Sequence, residues 1–291
     1  MKREEPLLDP RWTAAAASSR SRAPADDVRA VLARYGASRW DMAQGRGSIA
    51  GAVAGEGEPL RAVADSGYGC GHAMDMLNWV SERDRAGGAM APPILRTVNG
   101  RRCADHTAPN TWGLWCRRPS PTPGSQPDSR NRLHYQLQDP HFAIVAMSVP
   151  GTRHSGIVFQ ASKAEGVHGV ELALRGNHPQ ARWLDTRGQR VELTAPEPLA
   201  PGVSTVLTLT SRPGEQTLRV NGRLAAQAAA YLAVSPLAQM LIGWGFLHYF
   251  PRAGFGGHVF AVVTGRGVPT HDELRLIECD VGTTAGCLAP H

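Results

Sequence analysis

Short segments in which large apolar residues occupy every second position follow one another along most of the chain. In residues 170–174, for example, the alternating positions are Val170, Leu172 and Leu174. This period of two is typical of a β-strand that buries one face. Strands of this kind are predicted at residues 142–149, 157–160, 170–174, 181–185, 190–193, 203–210, 217–220, 223–227, 240–243 and 257–264.

Turn sequences separate these segments. Thr186-Arg-Gly-Gln, Arg212-Pro-Gly-Glu and Asn221-Gly222 stand where strands end, because Gly and Asn accept the backbone conformations of tight turns. Asn99-Gly100 follows an extended segment that begins at Ile94 and predicts a two-residue hairpin. No helix-length periodic segment separates the strands, which excludes a βαβ architecture. The sequence therefore predicts an all-β fold, an antiparallel jelly-roll β-sandwich.

Two helices are predicted outside the strands. In the first, Asp26 is a candidate N-cap and Gly36 ends the helix. Its apolar residues recur at helical spacing, at Val28, Val31, Leu32 and Tyr35. This apolar face either packs against the sandwich or docks onto a partner.

The second helix is predicted at residues 270–284 and closes the domain. Thr270 is its candidate N-cap, with Glu273 three residues on, and Leu274, Ile277 and Val281 form the apolar stripe. We therefore expect an N-terminal arm and short helix in residues 1–40, a possible anchor, and a jelly-roll domain in residues 41–291. Residues 117–132 are rich in Pro and Ser and predict an exposed loop.

Composition excludes several classes of protein. Hydrophobic residues make up 42% of the 291 residues and charged residues 19%, which is typical of a folded globular protein. The net charge is +6, but its arginines are dispersed, so a nucleic-acid partner is not expected. No signal peptide is evident, and the most apolar window, residues 240–250, is too short to span a bilayer.

Five cysteines and eleven histidines leave one candidate metal site. Cys70, His72, Cys103 and His106 supply four potential zinc ligands, but their spacing matches no familiar zinc module. Buried thiols and ordinary loop histidines are the alternative explanation. We expect no metal and no cofactor, although these four residues leave the metal question open.

Several short sequence segments resemble those of LamG-type concanavalin A-like domains, particularly the domains of bacteriophage and prophage structural proteins. They include Glu215-Gln-Thr-Leu-Arg-Val-Asn-Gly-Arg, Leu241-Ile-Gly-Trp and Phe255-Gly-Gly-His-Val-Phe-Ala-Val-Val, in the family's order and followed by a terminal helix. Upstream, Val63-Ala-Asp-Ser-Gly-Tyr-Gly-Cys-Gly-His72 and Pro93-Ile-Leu-Arg-Thr-Val-Asn-Gly-Arg-Arg are also similar to such proteins. The resemblance implies a jelly-roll fold from about residue 40 to the end.

Glucanases of this fold resemble one another in a strand motif E-x-D-x-x-E, whose carboxylates carry the catalysis. The complete motif does not occur here: Glu278-Cys-Asp280 matches its first part but lies on the predicted terminal helix, with Thr283 in place of the last Glu. Gly-x-Ser-x-Gly, His-Glu-x-x-His and phosphate-binding loop motifs are also missing. The sequence therefore indicates a protein that is not an enzyme.

Two groups of residues are candidates for ligand binding. Trp183 and Asp185 share one face of a predicted strand, where an aromatic ring beside a carboxylate suits a sugar. The alternative is that Trp183 belongs to the core. Trp244, His248 and Tyr249 lie near a predicted loop and present aromatic groups for a ligand or a protein partner.

The resulting hypothesis is a non-enzymatic virion protein of a tailed phage or prophage, acting as a decoration, fibre-associated or adhesion module. It would be made in the bacterial cytoplasm, bind other virion proteins through residues 1–40, function as an oligomer in the assembly, and contact host-surface glycan. A stand-alone carbohydrate-binding lectin is the alternative. A degenerate polysaccharide-cleaving enzyme is a third.

Overall fold

A computed structural model describes residues 24–48, 51–67, 76–77, 91–109, 111–117, 136–164, 167–237, 239–247, 250–252 and 255–287. The predicted loop at residues 117–132, apart from Arg117, and the arm before residue 24 lie outside these ranges. In the described part of the chain, two α-helices, α1 (Pro24–Arg34) and α2 (His271–Ala285), and a 3-10 turn (Met42–Gln44) accompany a set of antiparallel strands. Neither helix has the length and apolar character needed to cross a bilayer.

The first nine strands are β1 (Ser38–Asp41), β2 (Ala62–Val63), β3 (Met76–Leu77), β4 (Ile94–Val98), β5 (Arg101–Asp105), β6 (Leu114–Arg117), β7 (His141–Ser148), β8 (Gly156–Ala164) and β9 (Val167–Arg175). The remaining strands are β10 (His178–Leu184), β11 (Arg190–Thr194), β12 (Thr205–Arg212), β13 (Glu215–Val220), β14 (Arg223–Ala228), β15 (Gln239–Ile242), β16 (Gly245–Leu247), β17 (Phe250–Arg252) and β18 (His258–Arg266).

The strands form two eight-stranded sheets. Sheet A has the order β14-β13-β12-β7-β18-β5-β4, and β1 also pairs with β18. Sheet B has the order β11-β10-β9-β8-β15-β6-β3-β2, and β16 and β17 form a separate hairpin. The predicted antiparallel jelly-roll sandwich is confirmed, and all ten strands predicted after residue 140 are present with small differences at their ends.

Alternation along the strands builds the main core between the two sheets. Strand β7 contributes Ala143, Val145 and Met147 to this core, while its intervening residues, such as Ile144, face the other side of sheet A. Every residue of β7 is buried, because both of its faces are covered. A continuous apolar run is the pattern expected of such a strand.

The two helices cover the outer face of sheet A. A second apolar cluster joins residues of α1 and α2 to the outward side chains of β7 and β18, including Leu32, Ile277 and Phe260, all of them 0% exposed. The capping box of α2 forms as predicted, with Thr270 Oγ1 accepting from the Glu273 backbone N–H and Glu273 Oε2 accepting from the Thr270 N–H. Burial of this apolar stripe holds α2 on the sandwich.

The N-terminal helix differs from the prediction in two ways. It begins at Pro24, so Asp26 lies in its first turn and is not its N-cap; proline suits the first turn because it has no N–H to lose. Its apolar face packs on sheet A and is therefore not free for a partner. The division proposed at residue 40 falls inside β1, which pairs with β18.

Asn99 and Gly100 form the predicted hairpin turn between β4 and β5. Both have positive φ, 52° and 72°, as the two central positions of a type I′ turn require. Strands β1, β6, β16 and β17 had no counterpart in the sequence prediction. They are only three or four residues long, too short to show an alternating pattern.

Glu278-Cys-Asp280 has a structural role on α2. Glu278 is 1% exposed and pairs with Arg219 of β13, with its two carboxylate oxygens 2.9 and 3.2 Å from Nε and Nη2. Asp280 pairs with Arg39 of β1. Both carboxylates therefore join the helix to sheet A, far from any strand-face catalytic arrangement.

Candidate functional site

A row of polar side chains crosses the outer face of sheet B. Glu192, Arg182, Glu171 and Gln160 lie directly opposite one another on β11, β10, β9 and β8. Neighbours of these residues on the same strands, such as Leu172, belong to the core, so the row faces away from it. We call these four residues the polar row.

Arg182 is the centre of the polar row. Its Nη1 lies 3.4 Å from Glu171 Oε2 and its Nε lies 3.3 Å from Glu192 Oε2. Its Nη2 also donates to Gln180 Oε1. Side-chain exposure is 18% for Arg182, 9% for Glu171 and 30% for Glu192, so the row is partly shielded and opens to solvent toward β11.

Gln180 supports this arrangement from the same strand as Arg182. Its Nε2 donates to Glu192 Oε1 at 2.8 Å and to Thr194 Oγ1 at 3.0 Å, while its Oε1 accepts from Arg182. Gln180 is 1% exposed. These hydrogen bonds hold Gln180, Arg182 and Glu192 in one geometry.

Gln160 connects the polar row to the β16–β17 hairpin. Its Nε2 donates to Glu171 Oε1 and to the Phe246 carbonyl, both at 2.8 Å, and its Oε1 accepts from the Phe246 N–H at 3.0 Å. The side-chain amide thus pairs with the backbone of Phe246 as a neighbouring strand would. This contact fixes the hairpin on the face of sheet B.

An aromatic cluster continues the same face beyond Gln160. Next to Gln160, at the end of the polar row, lies Leu241 of β15, and opposite Leu241 lies Trp115 of β6. Leu241 packs with Trp244 and Phe246, and Trp112 stacks on Trp244 with ring centroids 4.3 Å apart. Trp112 and Trp115 are half-buried, so parts of their rings face solvent.

Local backbone features position this cluster. Trp244 Nε1 donates to the Leu114 carbonyl at 3.2 Å, which fixes its indole ring against β6. Gly113 precedes β6, and a Cβ atom built there would lie 1.8 Å from the Ile242 carbonyl oxygen. Only glycine allows the chain carrying Trp112 to approach β15 this closely.

The structure separates the residues that the sequence proposed as ligand contacts. Trp183 is 1% exposed and lies in the main core, on the opposite side of sheet B from Arg182. Stacking of Trp183 on a sugar was therefore the wrong hypothesis, because other side chains already cover its ring. Trp244 belongs to the aromatic cluster but is buried beneath Trp112. His248 and Tyr249 lie outside the described residues.

Asp185 organises a turn. Its Oδ1 accepts from the backbone N–H groups of Gln189 and Arg187 at 2.7 and 2.8 Å, and its carboxylate lies 3.5 Å from the Arg187 guanidinium. The N–H of Gln189, followed by the contacts with Arg187, lowers the pKa of Asp185. Its contacts therefore shape the turn between β10 and β11, and it is not part of the polar row.

Two of the four potential zinc ligands are described, and they lie in different surroundings. Cys103 packs in the cluster beneath the helices, where burial raises the pKa of its thiol to about 12. His106 packs against Phe255, with centroids 5.8 Å apart, and beneath Gly243. Cys70 and His72 lie outside the described residues. Within the described part, no three metal-ligating side chains come together.

The geometry of the polar row favours binding over glycoside hydrolysis. Hydrolysis requires a water or sugar between two catalytic carboxylates, which stand about 5–9.5 Å apart in retaining and inverting enzymes. Between Glu171 and Glu192 that space is occupied by the Arg182 guanidinium, which contacts both. The two carboxylates are therefore not positioned to flank a glycosidic bond.

A serine, a histidine and an aspartate also lie side by side on sheet A. Ser148 Oγ is 3.1 Å from His258 Nδ1, but His258 Nε2 is 3.8 Å from Asp105 Oδ1, beyond hydrogen-bond distance. Ser148 is 1% exposed, and burial lowers the pKa of His258. A substrate has no access to this serine, so the three residues do not form a hydrolytic site.

A cleft of about 400 Å³ lies beside the β4–β5 hairpin and the end of α2. Its lining contains polar, charged and small residues: Asp41, Ala43, Gly100, Arg101, Arg102, Thr283 and Thr284. Among the described residues, its lining includes no aromatic side chain against which a sugar would stack. The face of sheet B, with both hydrogen-bonding groups and aromatic rings, is the stronger candidate site.

Sequence reasoning missed the polar row, although its signal was present. Glu171 stands between the apolar residues Val170 and Leu172, and Arg182 stands between Ala181 and Trp183. A polar residue inside an alternating strand marks the face opposite the core. The sequence did not show which strands are neighbours, so these residues were not joined into one row.

No family model matches the sequence, and no curated protein is significantly similar to it. A similar solved structure is the botulinum neurotoxin serotype D ligand binding domain in complex with N-acetylneuraminic acid, with TM-score 0.51 and 8% identity over 86% of this chain and 52% of that one. Another is Trypanosoma rangeli sialidase in complex with 2,3-difluoro-KDN, with TM-score 0.50 and 12% identity over 84% of this chain and 32% of that one.

A third similar structure is the CBM40 of Ruminococcus gnavus IT-sialidase bound to α2,3-sialyllactose, with TM-score 0.41 and 16% identity. It covers 47% of this chain and 80% of its own. The two structures with TM-scores of 0.50 and 0.51 agree with the β-sandwich fold of the described chain. At such low identities the ligand has to be argued from the residues of the chain itself.

Proposed function

We propose that this protein is a non-enzymatic glycan-binding module and that its ligand binds the outer face of sheet B. The observation that carries this proposal is the continuity of the polar row with the half-buried rings of Trp112 and Trp115. A sugar offers hydroxyl groups around its edge and apolar C–H groups on its faces. Hydrogen-bonding groups and aromatic rings on the same face of the sheet match both features.

The network is suited to this role because its geometry is set before a ligand arrives. Gln180 and Gln160 are 1% and 0% exposed, and they hold the carboxylates of Glu192 and Glu171 from behind. Little side-chain freedom is then lost when a hydroxyl group binds. Preorganisation of this kind favours affinity.

We further propose that the module belongs to a tailed-phage or prophage virion, as a decoration, fibre-associated or adhesion protein. Support comes from the LamG-like segments of the sequence and from the packing of α1 on sheet A. Because α1 packs on sheet A, residues 1–23 are the segment we assign to other virion proteins. A stand-alone lectin is the alternative, and it needs no such segment.

A pair of tryptophan variants tests glycan binding. Trp112→Ala removes a half-buried ring from the sheet B face, and we expect its affinity for the glycan found on an array to fall about tenfold or more. Trp183→Phe is the matched control, because the Trp183 indole N–H has no hydrogen-bond partner among the described residues and lies in the core. Isothermal titration calorimetry measures both.

Equal affinity of the wild type and Trp112→Ala would place the ligand elsewhere. Absence of binding to any glycan would refute the lectin proposal. The virion proposal is tested by deleting residues 1–23, which leaves α1 in place: loss of cosedimentation with particles supports it. Unchanged particle association of the truncated protein would contradict the role of this segment.

A further inference from the structure

Charge distribution across the polar row restricts the ligands that it accepts. The row carries one cation, Arg182, and two carboxylates, Glu171 and Glu192, so its formal charge is −1. Both carboxylates lie within 3.4 Å of the guanidinium. Arg182 is therefore already neutralised before a ligand binds.

Other cations on the described part of this face lie outside the row. Arg190 is paired opposite Leu184 at the edge of the sheet, and Arg175 is opposite His178 at the far end of the β9–β10 pair. Both arginines are exposed. Charges in such positions are screened by water and salt, so they contribute little to specific recognition.

An acidic sugar and a neutral sugar meet this network differently. A ligand carboxylate only accepts hydrogen bonds, and beside Arg182 it would stand next to Glu171 and Glu192, which repel it. A hydroxyl group both donates and accepts. It can donate to a carboxylate oxygen of the row and accept from the guanidinium N–H groups that the three protein contacts of Arg182 do not use.

We propose that the sheet B face selects neutral glycans and discriminates against acidic ones, because Glu171 and Glu192 already pair with Arg182, the only cation in the polar row. This inference rests on the proposed glycan-binding function and adds the class of ligand to it. The ligands it predicts differ in charge from the sialyllactose bound to the CBM40 and the N-acetylneuraminic acid bound to the toxin domain. Of the two carboxylates, Glu192 is the more exposed, so it should contribute most to the discrimination between neutral and acidic glycans.

The test compares each neutral oligosaccharide with its sialylated and uronic acid-containing counterparts, first on an array and then by calorimetry. For the wild type we expect the neutral member of a pair to bind about tenfold tighter or more. In Glu192→Gln the ratio should fall to about threefold or less, because Arg182 gains a free side for the ligand carboxylate. Its amide oxygen can still accept from Gln180, so the network keeps its shape.

Glu215→Gln is the matched control. Glu215 also pairs with an arginine, Arg212, but this pair lies at the β12–β13 hairpin of sheet A. Both of its side chains are exposed to solvent. The variant makes the same change in net charge and should leave the neutral-to-acidic ratio unchanged. A narrowed ratio in both variants would show a general charge effect and contradict the assignment to Glu192.

Two further outcomes separate this inference from the proposed function. Tight wild-type binding of sialylated or uronic acid-containing glycans would overturn the charge selection while leaving the module a lectin. Failure of the wild type to bind any glycan would overturn both. Circular dichroism and thermal unfolding would check that Glu192→Gln is folded. An unchanged neutral-to-acidic ratio in the folded variant would also refute the inference.

Discussion

The outer faces of the two sheets are covered in different ways. Sheet A is covered by α1 and α2, which bury its outward apolar side chains in a second cluster. Sheet B carries the polar row and an aromatic cluster, with the β16–β17 hairpin held over part of it by Gln160. The part of sheet B that neither a helix nor the hairpin covers is the surface we propose for a ligand.

This difference also appears in the ion pairs. On sheet A, Arg219 and Glu278 form a buried pair that joins a strand to a helix, with side-chain exposures of 9% and 1%. On sheet B, Arg182 joins three neighbouring strands and keeps partial contact with solvent. We therefore expect substitutions on sheet A to affect stability most, and those on the polar row to affect binding most.

The largest effect is expected for Phe260→Ala. Phe260 is 0% exposed in the cluster beneath the helices, and truncation of a buried phenylalanine costs about 4 kcal/mol in the free energy of unfolding. Urea denaturation measures this change. Leu224→Ala, at a residue that is 54% exposed on β14, is the control and should change stability little. A loss for Phe260→Ala as small as the control's would mean that the helices do not cover sheet A.

Breaking the buried ion pair should have the next largest effect. Glu278→Gln leaves Arg219 buried without its counter-charge, and the expected loss is about 3 kcal/mol in the free energy of unfolding. Arg219→Met combined with Glu278→Leu should recover most of that loss, because no buried charge remains. Urea denaturation of the two variants measures both losses. Equal losses for the single and double variants would argue against the pair as the cause.

Acid should weaken the end of the sandwich where His106 is buried. Desolvation lowers the pKa of His106 from 6.5 to about 3, so the unfolded chain binds the proton more readily than the folded chain. Stability is then complete above about pH 6.5 and falls as the pH decreases toward 3. We expect His106 to account for a loss of about 2 kcal/mol between pH 7 and pH 4.5.

The variant His106→Phe tests this acid sensitivity. It removes the titrating ring and should flatten the pH dependence of the urea midpoint between pH 7 and pH 4.5. His271→Gln changes an exposed histidine at the start of α2 and serves as the control. Parallel pH profiles of the wild type and His106→Phe would exclude the buried ring as the source.

The smallest effect is expected for Asp185→Asn. An asparagine oxygen still accepts from the Arg187 and Gln189 N–H groups, so the β10–β11 turn is retained with a small loss of stability. Glycan affinity should stay within about twofold, because Asp185 is not part of the polar row. A tenfold loss of affinity in calorimetry would return Asp185 to the ligand site.

Much of the fold was predictable from local pattern. The strands after residue 140, the Asn99-Gly100 hairpin and the capping box of α2 all depend on residues close together in sequence. The first helix was harder, because its start depends on how proline fits the first turn. The short strands β16 and β17 were missed, since three residues show no period.

The candidate site was less predictable than the fold. Trp183 shares a strand with Arg182, and only the side of the sheet to which each points separates a core residue from a member of the polar row. Sequence alternation does separate the two faces. It does not tell which of them a helix or hairpin will cover, and an exposed tryptophan and a buried one have the same local pattern.

What the sequence by itself determined was the alternation of each strand, the turns between strands and the ends of the terminal helix, because these depend on local backbone preferences and on side-chain periodicity. Tertiary structure alone decided that β15 pairs between β8 and β6, which brings Gln160 into one row with Trp115, 45 residues earlier in the chain. Strand order is set by contacts between distant segments, and the proposed ligand face, which is shared by six strands, exists only once those contacts have formed.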